Sequence, residues 1–150
     1  MADAQRPDEQ PWHAAFPTPT SSLKDGTLVS ITVDELQKKI RDQPTLDKRD
    51  FLVVDVRRTD FDTGFIRGAI NLPAQSFYAT LETLLPLLYQ YKLVIFHCQS
   101  SNGRGPRVAG WYQDALDEFD ISRSRGAVLE GGIKKWIEVV GLEAKETVKL

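Results

Sequence analysis

The stretch Lys92–Arg107, KLVIFHCQSSNGRGPR, decides how the rest of the chain is read. It opens on Leu93, Val94, Ile95 and Phe96, an unbroken apolar run of the kind found in strands covered on both faces of a parallel sheet. His97 and Cys98 end the run, and Gln99, Ser100, Ser101, Asn102 and Gly103 follow, all small or polar. Beyond Arg104 and Gly105 stands Pro106, a residue at home in a first helical turn because its missing N–H would have no partner there. The pattern predicts a strand, a tight loop and a helix running from Pro106 to about Phe119. Such a loop turns backbone N–H groups toward one spot at the positive end of a helix dipole, a natural seat for an anion.

Cys98 is the chain's only cysteine. Its nucleophilic form is the thiolate, which a helix N-terminus and a nearby guanidinium both favour. Arg104 presents a planar fork of donors that matches two oxygens of a tetrahedral oxyanion. The spacing Cys98-x5-Arg104 closes a ring of about the size of phosphate, arsenate or sulfate. A lone cysteine is commonly a small buried hydrophobe, but the polar, glycine-containing loop after it argues for a nucleophile. Cys98 and Arg104 are therefore the expected catalytic residues, with Gln99, Ser100, Ser101, Asn102, Gly103 and Arg104 binding the oxyanion. His97, at the strand end, reads as a holder of the loop backbone rather than a general base. Arg107 adds a more distant positive charge.

Working outward, Phe51–Val56 (FLVVDV) repeats the buried-strand pattern and ends at Asp55 and Arg57. In open α/β sheets ligands gather at the carboxyl ends of strands, so this pair is expected on the rim that carries Cys98. Asp55 has two readings there, a proton donor or a tie for the rim. Leu28–Ile31 reads as a short strand. Thr32 with Glu35 forms a capping box that opens a helix with Val33, Leu36 and Ile40 on one face. Thr59–Pro73 reads as a loop with a brief strand near Ala69–Asn71. Ser76 is expected to cap a helix running towards Gln90, kinked or interrupted at Pro86. Val108, Tyr112, Ala115, Leu116 and Phe119 make the apolar stripe of the helix after the cysteine loop. Ala127–Leu129 reads as a strand, and Glu130, Gly131 and Gly132 turn into a last helix with Ile133, Trp136, Ile137 and Val140 inward. Strands alternating with helices imply a single α/β domain over residues 27–150, its mostly parallel sheet covered on both faces. Residues 1–26, rich in Pro, Ser, Thr and charge, read as a flexible arm, with Trp12 and Phe16 able to pin it.

Composition removes several function classes. The formal charge of −2 carries no nucleic-acid signature. No apolar run approaches the roughly 18–20 residues of a membrane span, and Met1–Gln10 lacks the apolar core of a secretion signal. One cysteine allows no internal disulfide, which fits a reducing compartment, cytoplasmic or nuclear. His13 and His97 show no ligand spacing, so no metal or other bound cofactor is expected. Any oxidation of Cys98 must then be reset by a thiol from another molecule.

The Asp55-Val56-Arg57 strand end, the Gly64–Pro73 segment (GFIRGAINLP), the cysteine loop, and Leu129-Glu130-Gly131-Gly132 followed by Trp136 together resemble a rhodanese domain over roughly Val29–Gly141. The His97-Cys98-x5-Arg104 loop is similar to the branch that holds the M-phase inducer phosphatases and the eukaryotic arsenate reductases. Sulfurtransferases typically carry a loop one residue shorter. The Arg104-Gly105-Pro106 continuation looks most like the fungal members of the branch. The resemblance implies thiolate attack on a tetrahedral oxyanion. In an arsenate reductase, glutathione with glutaredoxin resolves the cysteine adduct. In a small tyrosine or dual-specificity phosphatase acting on phosphorylated protein, water hydrolyses a phosphocysteine and a general acid helps the leaving group. The loop has no acid between Cys98 and Arg104, where the cell-cycle phosphatases carry one, so arsenate reduction is the leading expectation and phosphatase the alternative. Sulfur transfer or a non-catalytic phosphate-binding module would be the remaining possibilities.

Overall fold

The computed structural model describes residues 10–150. β1 (Val29–Ile31), β2 (Phe51–Asp55), β4 (Ile70–Asn71), β5 (Leu93–His97) and β6 (Arg125–Leu129) form one sheet in the order β1-β6-β5-β2-β4. Every pairing in it is parallel. The stretch Leu93–His97 is thus the middle strand. Strand side chains alternate between faces, and the core divides accordingly. Val54, Val94, Phe96 and Val128 pack with residues of α2 (Ala74–Leu88) and α3 (Arg104–Glu118). Val53, Ile95, Ala127 and Leu129 pack with residues of α1 (Val33–Asp42) and α4 (Gly132–Val139). Helices on both faces of a parallel sheet give the expected α/β architecture.

The local signals hold where partners are near in sequence. Thr32 Oγ1 accepts the Glu35 N–H at 3.1 Å, and Glu35 Oε1 accepts the Thr32 N–H at 2.9 Å, completing the capping box of α1. Elsewhere the structure departs from the sequence expectation. Ser76 does not cap α2. The helix starts after Pro73, and the Ala74 N–H donates to the Val56 carbonyl at 3.0 Å, so the residue just past β2 satisfies one of the first-turn N–H groups. The helix also runs through Pro86 to Leu88. α3 starts at Arg104, which leaves Pro106 still within the first turn, where no intrahelical N–H bond is lost. Phe119 is not core but 62% exposed, just beyond the helix end.

Part of the segment expected as a loop, Gly64–Ile66, is instead β3, which pairs antiparallel with β7 (Thr147–Lys149) in a separate ribbon. Trp136, fully buried, donates its indole N–H to Thr147 Oγ1 at 2.9 Å and ties α4 to that ribbon. Of the arm expected over residues 1–26, residues 1–9 lie outside the described residues. Residues 12–21 lie along α3. The Pro17 carbonyl accepts the Trp111 indole N–H at 2.8 Å, and Asp114 Oδ1 accepts the Ser21 N–H at 2.9 Å.

Candidate active site

Parallel pairing sets Asp55 opposite His97, which brings the loops after β2 and β5 to one edge of the sheet. The cysteine loop is held at both ends by helix termini. Behind it, the Ile133 N–H donates to the Cys98 carbonyl at 3.1 Å and the Lys134 N–H to the Gln99 carbonyl at 2.9 Å. The first turn of α4 therefore takes up the loop's first two carbonyls. This approach requires Gly132. Its φ is +60°, and a Cβ there would lie 2.6 Å from the Cys98 oxygen and 2.7 Å from the Gln99 oxygen. In front, the Gly105 N–H, in the first turn of α3, points at Cys98 Sγ at 3.3 Å. A Cβ on Gly105 would stand 3.2 Å from the Cys98 amide nitrogen, tight against the loop. Among the described residues, the N–H groups of Gln99, Ser100, Ser101, Asn102 and Gly103 donate to no other protein group. Ser101 sits at φ +59° with a buried, unpartnered hydroxyl.

Beneath the loop lies a buried polar group. Asp55 and Arg57 are 0% and 1% exposed, and Arg57 Nη2 meets Asp55 Oδ2 at 2.7 Å. The same guanidinium donates to the carbonyls of Asp60 (3.2 Å), Asp62 (3.1 Å) and Gly64 (2.8 Å), and so shapes the segment after β2. That segment presents Asp60, whose two oxygens take Nη1 and Nη2 of Arg104 at 2.8 and 2.6 Å. The bidentate bond to Arg104 holds the Asp60 carboxyl below its ordinary range, against a partial opposing effect of burial. His97 is fully buried, its Nδ1 3.0 Å from the Cys98 carbonyl and its Nε2 3.7 Å from Asp55. Burial pushes the imidazole down, outweighing the Asp55 carboxylate, so it stays neutral at neutral pH.

Cys98, Ser100, Gly103, Arg104 and Arg107 line one cavity of about 340 Å3. Of the other residues singled out from the sequence, Gln99 and Asn102 are exposed on the loop, and His97 and Asp55 stand behind it in the core. The opposite wall of the cavity is Pro11, Trp12 and His13, from the segment read as an arm. That wall, the Asp60 clamp on Arg104 and the close approach of Gly132 were not anticipated. Asp60 carried a usable signal as an acid shortly beyond the carboxyl end of a buried strand. Trp12 and His13 carried none, because only the folded path of the segment brings them to Cys98. Among the described residues, no group of three or more His, Cys, Asp or Glu could hold a metal ion, and no helix is long and apolar enough to cross a membrane.

The model of the rhodanese-like domain matches residues 32–139, a span that holds both core faces and the cysteine loop. The chain belongs to the rhodanese-like family. This rhodanese-like chain is 37% identical over 115 residues to Arsenical-resistance protein 2 of Saccharomyces cerevisiae, covering 71% of the chain and 85% of that relative. To the CDC25-like phosphatase YCH1 of the same yeast it is 32% identical over 118 residues, covering 71% of the chain and 80% of the relative. Among solved structures it is similar to the As-Sb reductase from Leishmania major, with a TM-score of 0.71, 27% identity, and coverage of 80% of this chain and 84% of that one. The arsenate reductase and phosphatase branch to which the cysteine loop was matched is thus the branch of these relatives.

Proposed function

We propose that this rhodanese-like protein is an arsenate reductase in which Cys98 is the nucleophile. The observation that carries the reading is the loop itself: among the described residues the N–H groups of Gln99–Gly103 donate to no other protein group, and the thiol that opens the loop receives the Gly105 N–H. Donors already in place and aimed at developing negative charge stabilise an oxyanion without reorganisation. Arg104, held by Asp60, supplies the guanidinium. Arg107 lines the same cavity and adds charge, and His97 holds the Cys98 carbonyl so that the loop keeps its shape. Cys98 thiolate displaces one arsenate oxygen, which departs as water or hydroxide. A departing alkoxide would call for a general acid. Among the described residues that line the cavity none is acidic, and Asp60, the carboxylate that clamps Arg104, is kept ionised by that pairing.

With a single cysteine in the chain, the second thiol comes from outside. Over the cycle arsenate gains two electrons from two external thiols, which leave joined as a disulfide, while one arsenate oxygen leaves as water. Glutathione with glutaredoxin fits this role. The names of the yeast arsenical-resistance relative and the Leishmania As-Sb reductase support the reading. The CDC25-like relative supports phosphate-ester hydrolysis by the same thiolate as the second reading. One purified batch decides between them, assayed for arsenate reduction with glutathione and glutaredoxin and for hydrolysis of an aryl phosphate, with Cys98→Ser as control. Cys98-dependent arsenate turnover with negligible phosphate release is the expected result. The reverse pattern would make the protein a phosphatase, and activity surviving in Cys98→Ser would remove the nucleophile.

A further inference from the structure

We propose that the segment Pro11–Ser21 is a strap that selects substrate by size, admitting a free inorganic oxyanion to Cys98 and keeping out a phosphorylated side chain on a folded protein. The inference rests on the oxyanion chemistry proposed above and adds to it which class of oxyanion reaches the thiol. The strap is seated along α3, the helix whose first turn faces the sulfur. The Trp12 ring meets Trp111 edge-on at 6.0 Å, and Phe16 meets the same indole at 5.8 Å. The Trp111 N–H holds the Pro17 carbonyl at 2.8 Å. Asp114 takes the Thr20 N–H, the Thr20 hydroxyl and the Ser21 N–H at 2.7, 2.8 and 2.9 Å. Gly110 is the imprint of this seat: a Cβ there would stand 2.7 Å from Pro19 Cβ and 2.8 Å from the Ser21 oxygen. Aromatic, hydrogen-bonded and steric features of α3 thus all match one path of the segment.

That path ends over the thiol. Trp12, with His13 against it edge-on at 5.3 Å, forms the wall that faces Cys98, Gly103 and Arg107 across the cavity. The cavity of about 340 Å3, open to solvent on one side, is at the small end of ligand cavities, which run from about 300 to 1,000 Å3. A tetrahedral dianion fits beside the loop N–H groups with the wall in place. A phosphorylated residue brings its own backbone and neighbours, and these would meet Trp12 and His13 before the phosphate reached the sulfur.

The test uses the full chain and reads access to Cys98 without needing turnover. Alkylation rates by iodoacetate, a small anion, and by fluorescein maleimide, a bulky one, are measured for the natural protein, Trp12→Ala and Asp114→Ala, each normalised to a free cysteine peptide. Circular dichroism melts check that the variants stay folded. The natural protein should discriminate against the bulky reagent by about tenfold or more, and both variants should lose most of that factor while the iodoacetate rate stays within about twofold, as for a locally opened segment. Arsenate should protect all three proteins from iodoacetate, whereas a phosphotyrosine peptide should protect only the variants. Equal normalised rates in the natural protein, or discrimination unchanged in both variants, would overturn the strap. Failure of arsenate to protect, with size discrimination intact, would instead overturn the oxyanion reading and leave the strap standing.

Discussion

Under the cysteine loop, Asp55, Arg57 and His97 share a space closed to water, and His97 carries a pH dependence of stability from there. Burial lowers the His97 pKa below its ordinary 6.5, so the unfolded chain binds a proton that the folded chain refuses. That contribution to stability is present above pH 6.5 and is lost as pH falls below it, at up to about 1.4 kcal/mol per pH unit for one proton. Urea unfolding at pH 7.5 and 5.5 should show the loss, and His97→Gln should remove much of it; an unchanged pH dependence in the variant would refute this origin. His13 is shifted in the same direction, by burial first and Arg107 second, so the variant is what separates the two. Asp60 belongs to the same scale. Two of the five N–H donors of Arg104 are fixed by its carboxylate. Asp60→Ala should lower kcat/KM for arsenate by about tenfold, mostly through KM, the loss expected when a charge-assisted pair that orients a binding group is removed. A kcat effect with unchanged KM would point instead to a role in the chemical step.

At the scale of elements, two helix N-termini grip the cysteine loop from opposite sides, α3 at the sulfur and α4 at the carbonyls. Gly132→Ala should destabilise the protein by about 1–3 kcal/mol, since it places a side chain at positive φ and against the Cys98 oxygen. Turnover measured well below the variant's melting temperature should fall further than that destabilisation explains, because the displaced atoms belong to the loop. Equal activity in a folded Gly132→Ala protein would show that the loop tolerates the shift. What could be read in the sequence divides at this scale too. The capping box of α1, the two buried strands and the Cys98–Arg104 loop are local patterns, and each lies where its pattern puts it. The start of α2 escaped notice because its first N–H goes to the carbonyl of Val56, just past β2 and distant from the helix in sequence. β3 escaped because its partner β7 lies some eighty residues away in the chain, and three residues without that partner carry no alternation to see. Asp60 was visible as a residue but not as a partner, since the pairing depends on how Arg57 folds the intervening loop.

Over the whole molecule, both ends of the described chain are tied back to the domain: the strap to α3, and β7 to β3 and α4. The second tie runs through Trp136, whose indole N–H reaches Thr147 inside the core. Trp136→Phe removes that bond, leaves a buried hydroxyl without its partner and opens space beside Ile133. The expected loss is about 2–3 kcal/mol, seen as a lower urea midpoint with an unchanged slope. A changed slope would mean that the ribbon unfolds separately from the main sheet. That the sheet is covered on both faces was legible from the unbroken apolar runs of its central strands and from strands alternating with helices. The closing of the site by a segment from the far end of the chain was not, since no periodicity in residues 10–26 records which helix they will lie on.

Among the described residues, backbone hydrogen bonds clamp the cysteine loop at its two ends, by α4 at Cys98 and Gln99 and by α3 at Gly105. Nothing in the core of the sheet depends on the identity of Ser100, Asn102 or Gly103, of which the first is half-buried and the other two exposed. The arrangement works as an exchangeable insert in a permanent socket. A lineage, or a protein engineer, could lengthen, shorten or re-letter the middle of this loop and move among oxyanion chemistries while the scaffold pays almost nothing for the change.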